Sequence, residues 1–190
     1  MKKIISLCLC AVMLLSLCAC GSKKEEAPAA PEVNIESAVA LLDTVWQSYA
    51  EDEKFPGAGG DMDNMNMEGP GAYTVEDAEL LDMTFGLPAA EAAMVTEGAS
   101  LIHMMNLNTF TAGAFRLAEG TDKAAFAENV KANVLQRQWI CGFPDTLVII
   151  AVGDYVVSAF GEAGIIETFK TKTLAAWEGA AELLVEQSLV

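Results

Sequence analysis

The feature that most constrains the fold is a pair of apolar, β-rich runs separated by only two residues. The runs are residues 146–152 (TLVIIAV) and residues 155–160 (YVVSAF), and the step between them is Gly153-Asp154. Two β-rich runs joined by a two-residue step that contains glycine are a strong hairpin signal. The sequence therefore predicts an antiparallel sheet in the C-terminal half of the chain.

Apolar residues spaced three and four apart predict helices on either side of this hairpin. In chain order, these helices are residues 34–50 with Asn34 as N-cap, a helix that follows the capping-box-like residues 74–77 and ends near Gly86, a helix capped by Thr121 that ends around residues 139–140, and residues 165–185. Short strands are predicted at 92–95 and 112–117, while 101–107 fits a strand or a helix. The predicted fold is α+β: a small antiparallel sheet with helices packed on one face.

Residues 51–73 (EDEKFPGAGGDMDNMNMEGPGAY) interrupt every periodic pattern. The segment holds five glycines, two prolines and a cluster of acids. A loop of this length inside a compact domain is usually functional or disordered. We predict a disordered, acidic loop rich in methionine and glycine within a single domain that covers residues 34–190.

The N-terminus has the pattern of an export signal. Lys2 and Lys3 precede an apolar run over residues 4–17, which is shorter than the stretch of about 20 residues that a membrane span needs. The run ends in Leu17-Cys18-Ala19-Cys20-Gly21, which resembles the lipobox of bacterial lipoproteins. The resemblance implies cleavage before Cys20 and a thioether-linked diacylglycerol on that cysteine. The alternative is an ordinary cleaved signal whose cysteines are incidental.

The lipobox resemblance divides the chain into a signal peptide (1–19), a lipidated N-terminus with a flexible tether (20–33), and the domain. Residues 21–33 (GSKKEEAPAAPEV) are charged and rich in alanine and proline, as is typical of a linker. Two acyl chains are enough for stable membrane attachment. The predicted location is the outer face of the cytoplasmic membrane, with no cofactor beyond the covalent lipid.

The charge of the chain limits the classes of partner. Loss of residues 1–19 would leave 9 basic and 27 acidic residues, a net charge of −18. Such a surface repels nucleic acid and anionic lipid headgroups and favours cations and basic partners. After processing and lipidation, Cys141 would be the single free cysteine, so no internal disulfide is expected. We interpret Cys141 as a small buried apolar side chain.

Five short motifs occur in the stretch from about residue 80 to 169. In order, they are Phe85-Gly86-Leu87, Phe115-Arg116-Leu117, Gln136-Arg137-Gln138, Phe143-Pro144 and Gly153-Asp154-Tyr155-Val156. In this order they resemble a domain of unknown function found in lipoproteins of Gram-positive anaerobes, although Ala112-Gly113-Ala114 stands where that domain usually has an acidic residue. The resemblance implies no activity, because that domain has no assigned function.

Met62, Met65 and Met67 form an M-x-x-M-x-M cluster inside the acidic loop. Thioethers are soft ligands that select Cu(I), so the cluster indicates a candidate copper site. His103, Met104 and Met105 would add ligands if the fold brought them near. The alternative is an acidic linker that happens to be rich in methionine.

Arg116 and Arg137 stand out in so acidic a chain. If both guanidinium groups faced one side, they would hold an anion or a peptide carboxylate. The structural alternative, which we favour, is ion pairing with neighbouring acids and compensation of a helix dipole. His103 follows Ser100 by three residues, but nothing marks a nucleophile elbow, so we predict no catalytic triad.

Three functions are compatible with these features. The first is a non-enzymatic binding or accessory lipoprotein that presents a groove or sheet edge to a protein or peptide partner in the cell envelope. The second is an extracytoplasmic Cu(I)-binding protein that uses the methionine loop. The third, hydrolysis of a wall component, fits least well because the acid–base groups are scattered.

Overall fold

The computed structural model describes residues 33–140 and 142–190. The predicted signal peptide, the lipidation site Cys20 and the tether up to residue 32 lie outside the described residues. So does Cys141, and the prediction that it is buried stays a prediction.

A seven-stranded antiparallel sheet forms the centre of the described chain. Its strands are β1 (Gly57–Ala58), β2 (Gly71–Ala72), β3 (Val95–His103), β4 (Phe110–Leu117), β5 (Thr146–Val152), β6 (Tyr155–Gly161) and β7 (Ala181–Ser188). They lie in the order β1-β3-β4-β6-β5-β7, and β2 also pairs with β3. The predicted hairpin is confirmed as β5–β6, whose turn places Gly153 at φ 55°, as two-residue hairpin turns require.

Five helices within the described residues cover the sheet: α1 (Ala38–Gln47), α2 (Ala78–Phe85), α3 (Ala89–Ala92), α4 (Lys123–Gln136) and α5 (Ala163–Ala176). The α+β class is therefore confirmed. The placement of all helices on one face is wrong, because α1 and α5 cover one face and α2, α3 and α4 cover the other. The physical reason is visible in β6, where every residue is buried. A strand that is apolar on both faces needs a cover on both.

Two helix starts differ from the prediction. Ser37, rather than Asn34, caps α1, and its side chain accepts a hydrogen bond from the backbone N–H of Ala40. Asp122, rather than Thr121, caps α4, which ends at Gln136. In both cases a short polar side chain nearer the first helical turn satisfies the free backbone N–H groups. The predicted end of α2 is confirmed, since Gly86 is its left-handed C-cap.

The predicted C-terminal helix over 165–185 is wrong in its second half. Helix α5 ends at Ala176, Gly179 takes a left-handed φ of 80°, and β7 then pairs with β5 along its whole length. Without β7, the apolar strand β5 would be an unpaired sheet edge. Tertiary pairing therefore overrides the local helical pattern.

Residues 51–73 are folded against β3, contrary to the prediction of a disordered loop. Strands β1 and β2 both pair with β3 in this segment. The glycines permit this close approach, because a Cβ atom on Gly59 would lie 2.2 Å from the backbone oxygen of Ser100 and 2.3 Å from the backbone nitrogen of Gly71. The high glycine content, which suggested flexibility, is needed here because the backbone segments pack too closely for a side chain.

The sheet has two ends, which differ in what they carry. The proximal end holds the 153–154 turn and the point where the chain enters the domain, since a Cβ atom on Gly153 would lie 3.6 Å from the side chain of Ile35 and 3.9 Å from the backbone oxygen of Val33. The distal end holds the β3–β4 loop (104–109) and the described parts of the α4–β5 connection (137–145). With eight residues in β4, the two ends are about 23 Å apart.

Candidate functional site

Exposed apolar side chains collect in the two loops of the distal end. Met105 and Ile140 are each 80% exposed, Phe143 is 68% exposed and Leu107 is 51% exposed. The loops are joined by Asn108, whose side-chain amide donates to the backbone oxygens of Ile140 (2.9 Å) and Gly142 (3.1 Å). We call Met105, Leu107, Ile140 and Phe143 the distal patch.

A cavity of about 330 Å³ opens beside the distal patch and shares Leu107 with it. Its other side chains come from Met65, Met67, His103 and Met104, with Ile102 and the backbone of residues 58–60 as the floor. We call it the thioether cavity. The structure thus brings two methionines of the predicted cluster together with His103 and Met104, which the sequence offered only as conditional additions.

Backbone pairing aims Met65 and Met67 into this cavity. Asn66, between them, forms an isolated bridge with Gly59, in which each backbone N–H donates to the other residue's oxygen over 2.8 Å. Residues on either side of an extended position share a face. The M-x-M spacing therefore places both thioethers on one side of the segment.

Met62 does not join them, since its side chain is 93% exposed and does not line the cavity. Asp61 fixes the turn that carries Met62 away. One of its oxygens accepts hydrogen bonds from the backbone of Asp63 and Asn64, and the other accepts from the backbone N–H of Thr74 over 2.7 Å. The hydrogen bond with Thr74 contributes most to holding the pKa of Asp61 well below its usual range, so this carboxylate stays ionised.

His103 forms one wall of the thioether cavity. Its ring stacks on Phe55 with centroids 5.6 Å apart, and its Nδ1 accepts a hydrogen bond from the backbone N–H of Met105 over 3.3 Å. Ser100 is fully buried, and its hydroxyl accepts a hydrogen bond from the backbone N–H of Gly60. Three residues apart on one strand, Ser100 and His103 point to opposite faces of the sheet. The pair does not form a nucleophile and base.

Arg116 and Arg137 lie at opposite ends of the sheet, so they do not form the joint anion site that is the less favoured interpretation of the sequence. Arg116 is the next-to-last residue of β4 at the proximal end, where its guanidinium lies 5.9 Å from the ring of Tyr155. Arg137 follows α4 at the distal end and lies 4.7 Å from the ring of Trp139. The physical reason is that α4 runs back along the sheet, antiparallel to β4, and carries its C-terminal residues to the other end.

Arg137 has a structural environment. Its Nη2 donates to the backbone oxygen of Met83, and the guanidinium also lies 5.7 Å from the ring of Phe160. Its Nη1 is buried against these groups without a hydrogen-bond partner among the described residues. Burial lowers the pKa of Arg137 from its ordinary value. The side chain therefore ties the ends of α2 and α4 together, and the expected ion pair is absent from the described part of the chain.

The proximal end carries a cavity of about 610 Å³ with a mixed lining. Arg116 and Lys123 supply positive charge, while Glu119 and Asp154 supply negative charge. The ammonium group of Lys123 is already occupied, because it donates to the backbone oxygen of Gly153. Neither sign dominates this cavity, so it is a poor match for a charged ligand.

Sequence reasoning missed the apolar side chains of the distal patch. Leu107 stands between two asparagines, and Phe143 stands between a glycine and a proline, with no periodic apolar neighbours. That pattern is the signal that would have found them, because an isolated large apolar residue in a turn has no helix or strand face to bury it.

No family model, curated protein or solved structure matches the chain. The resemblances to the lipobox and to the lipoprotein domain of unknown function therefore stay predictions. No helix within 33–140 or 142–190 is long and apolar enough to cross a membrane. In the same ranges, no three His, Cys, Asp or Glu side chains are grouped to hold a metal ion.

Proposed function

We propose that this protein is a membrane-anchored extracytoplasmic lipoprotein without enzymatic activity, and that its distal end binds a basic, amphipathic segment of a cell-envelope protein. One observation carries the proposal. The distal patch presents large apolar side chains on loops that are held in place by side-chain and backbone hydrogen bonds. Clustered apolar exposure of this kind marks interaction surfaces on soluble domains.

The shape and chemistry of the patch favour a protein segment. Phe143 and Ile140 supply an aromatic and a branched anchor, and such anchors dominate binding energy when a partner buries them. Met105 adds a flexible, polarizable side chain that adapts to different apolar partners. An amphipathic helix, with one apolar face, would bury these groups against its own side chains.

Charge favours a basic partner. Residues 33–190 contain 24 acidic and seven basic residues, a net charge of −17. The field of such a domain attracts cationic segments and repels acidic ones. A partner with Lys or Arg flanking its apolar face would satisfy both properties of the surface.

The position of the chain entry supports the same orientation. Val33 and Ile35 lie at the proximal end, so a tether to a lipid at Cys20 would leave from there. The distal patch would then face away from the bilayer and be accessible to other envelope proteins. The acyl chains supply the membrane affinity, so the apolar patch is not needed as an anchor.

The test uses a synthetic basic amphipathic helix of about 18 residues and an acidic version with the same apolar face. Fluorescence anisotropy measures their affinity for the chain from residue 20, with Cys20→Ser. We expect the basic peptide to bind at least about tenfold more tightly. The double variant I140S/F143S should weaken that binding by at least about tenfold. Met94, another exposed methionine, lies at the proximal end, and M94S is the matched control.

Three results would contradict the proposal. The basic peptide fails to bind, the I140S/F143S variant binds as tightly as the parent, or M94S loses as much affinity as the double variant. Light scattering on the peptide-free protein adds a fourth. If the distal patch served to pair two copies of this chain, the parent would be a dimer and I140S/F143S a monomer.

A further inference from the structure

The thioether cavity differs from the distal patch in the atoms that it presents. Met65, Met67 and Met104 each carry a thioether sulfur, and no Lys, Arg, Asp or Glu is among the described residues that line the cavity. Thioethers are soft ligands that select Cu(I), whereas Mg²⁺ and Ca²⁺ prefer oxygen ligands. We propose that this cavity is a Cu(I) site held by the sulfur atoms of these three methionines.

Two separate pieces of backbone hold the ligands in place. The bridge between Asn66 and Gly59 fixes the segment that carries Met65 and Met67. The backbone N–H of Met104 donates to the oxygen of Pro56 over 2.9 Å, which fixes the third ligand at the end of β3. Only the flexible side chains need to adjust around a metal ion. A backbone that is already ordered lowers the entropy cost of binding.

The proposed ligands differ from the cluster read in the sequence. Met62 belongs to the M-x-x-M-x-M motif but is 93% exposed, Met105 neighbours Met104 but is 80% exposed, and neither lines the cavity. The lining methionines are less exposed, at 60% for Met65, 52% for Met67 and 48% for Met104. Met104, 37 positions after Met67, takes the place of Met62. The structure therefore separates methionines that would bind the ion from methionines that would not, and this makes the proposal testable residue by residue.

His103 is not required as a ligand. Because its Nδ1 accepts a hydrogen bond from a backbone N–H, a neutral ring carries its proton on Nε2. Neither nitrogen then has a free lone pair for a metal. The ring closes one side of the cavity, and Phe55 stacks on it.

Negative charge near the cavity would attract a cation, although no charged residue lines the cavity within the described part of the chain. Asp61 stays ionised beside the methionine segment and fixes its turn, and the domain as a whole is strongly acidic. Such a field raises the local concentration of cations near the cavity mouth. The copper site does not depend on the proposed protein partner, because it rests on thioether sulfur atoms, whereas the binding of a partner rests on exposed apolar surface.

The test is an anaerobic Cu(I) titration in competition with bicinchoninate. It uses the chain from residue 20 with Cys20→Ser and Cys141→Ser, since a free thiolate would bind Cu(I) itself. We expect one Cu(I) per chain. The triple variant M65L/M67L/M104L should lose at least about 100-fold in affinity, whereas M62L/M105L should stay within about twofold of the parent. Leucine conserves volume and apolar character, so folding should be retained.

The proposal is overturned if the parent takes up no Cu(I), if M62L/M105L loses as much affinity as the triple variant, or if the parent binds Zn²⁺ as tightly as Cu(I). These failures are distinguishable from failure of the proposed function. The triple variant keeps the apolar surface, so it should bind the basic peptide like the parent. Loss of copper with retained peptide binding therefore separates the two sites.

Discussion

The two ends of the sheet are built from the same strands but differ in chemistry and in how they are held. At the proximal end, a polar side chain makes the key contacts: the carboxylate of Glu97 accepts hydrogen bonds from the backbone N–H of Ala38 (2.8 Å) and from the hydroxyl of Tyr155 (3.2 Å). At the distal end, the side-chain amide of Asn108 joins the two loops by donating to backbone oxygens, and large apolar side chains are left exposed.

The difference indicates that the proximal end has a structural role and the distal end a binding role. The proximal end satisfies its own polar groups, including the free N–H groups at the start of α1, and receives the chain from the N-terminus. The distal end positions large apolar side chains that are exposed on its surface. A surface whose backbone is ordered while its apolar side chains are exposed is suited to binding, because little conformational entropy is lost when a ligand arrives.

The largest effect is expected from G59A, which tests whether close backbone packing supports the distal end. The added methyl group would lie 2.2 Å from the backbone oxygen of Ser100. We expect the free energy of unfolding to fall by at least about 2 kcal/mol, because backbone atoms have to move. Urea denaturation measures this change.

Gly164 is the matched control for that substitution. A Cβ atom on Gly164 would meet nothing within 4 Å, and the residue lies in α5. Alanine is the better helix former, so G164A should stabilise the protein by up to about 1 kcal/mol. Equal destabilisation by the two variants would contradict the packing account of residues 57–72.

The next effect concerns the proximal end, where E97Q removes a charge near the start of α1. We expect a loss of about 1 kcal/mol in unfolding free energy, because the favourable interaction with the helix N-terminus weakens. Burial first, and then Glu97, raise the pKa of Tyr155. E97Q should therefore lower that pKa, which ultraviolet absorbance titration measures. If the pKa of Tyr155 were unchanged in E97Q, the proposed interaction between Glu97 and Tyr155 would be contradicted.

A smaller contrast separates the two arginines. Arg137 is partly buried, stacks near Trp139 and donates to Met83, so R137K should cost about 1.5 kcal/mol. Arg116 is exposed on β4, so R116K should cost about 0.7 kcal/mol, which leaves a difference of about 0.8 kcal/mol between the two variants. Thermal unfolding of both variants measures the difference. If R116K were more destabilising than R137K, the arginine that stabilises the fold would be Arg116 at the proximal end, contrary to this prediction.

The smallest effect is expected between the two ends, at Lys170. Its hydrogen bonds with Glu167 and Glu186 raise its pKa. The stability that it contributes is therefore present below its unfolded pKa of about 10.4 and is lost as the pH rises through the higher folded pKa. K170M should remove this alkaline dependence and cost less than about 1 kcal/mol at pH 7. Denaturation at pH 7, 10 and 11 tests both statements.

Two elements of the fold could be predicted from the sequence because their signals are local. The β5–β6 hairpin depends on a two-residue turn, and the end of α2 depends on Gly86. Each is decided by residues within a few positions of one another. The α+β class followed from these local elements.

The distal half could not be predicted because its determinants are distant in sequence. The requirement for glycine at position 59 arises from the backbone of Ser100, which is 41 positions away in the sequence. Met104 comes close to Met65 and Met67 only because β1 pairs with β3. Likewise, β7 forms a strand because β5 lies next to it. Glycine-rich composition and helical spacing carry no information about such pairings.

Site-specific photo-crosslinking in living cells tests the central claim most directly. A photoreactive phenylalanine analogue replaces Phe143 at the distal end or Glu119 at the proximal end of the full-length chain. We predict one discrete adduct from position 143, joined to a basic amphipathic segment of an envelope protein, and none from position 119. The adduct should disappear when I140S is added. Equal adducts from both positions, or an adduct from position 119 alone, would contradict the claim that the distal end is the binding surface.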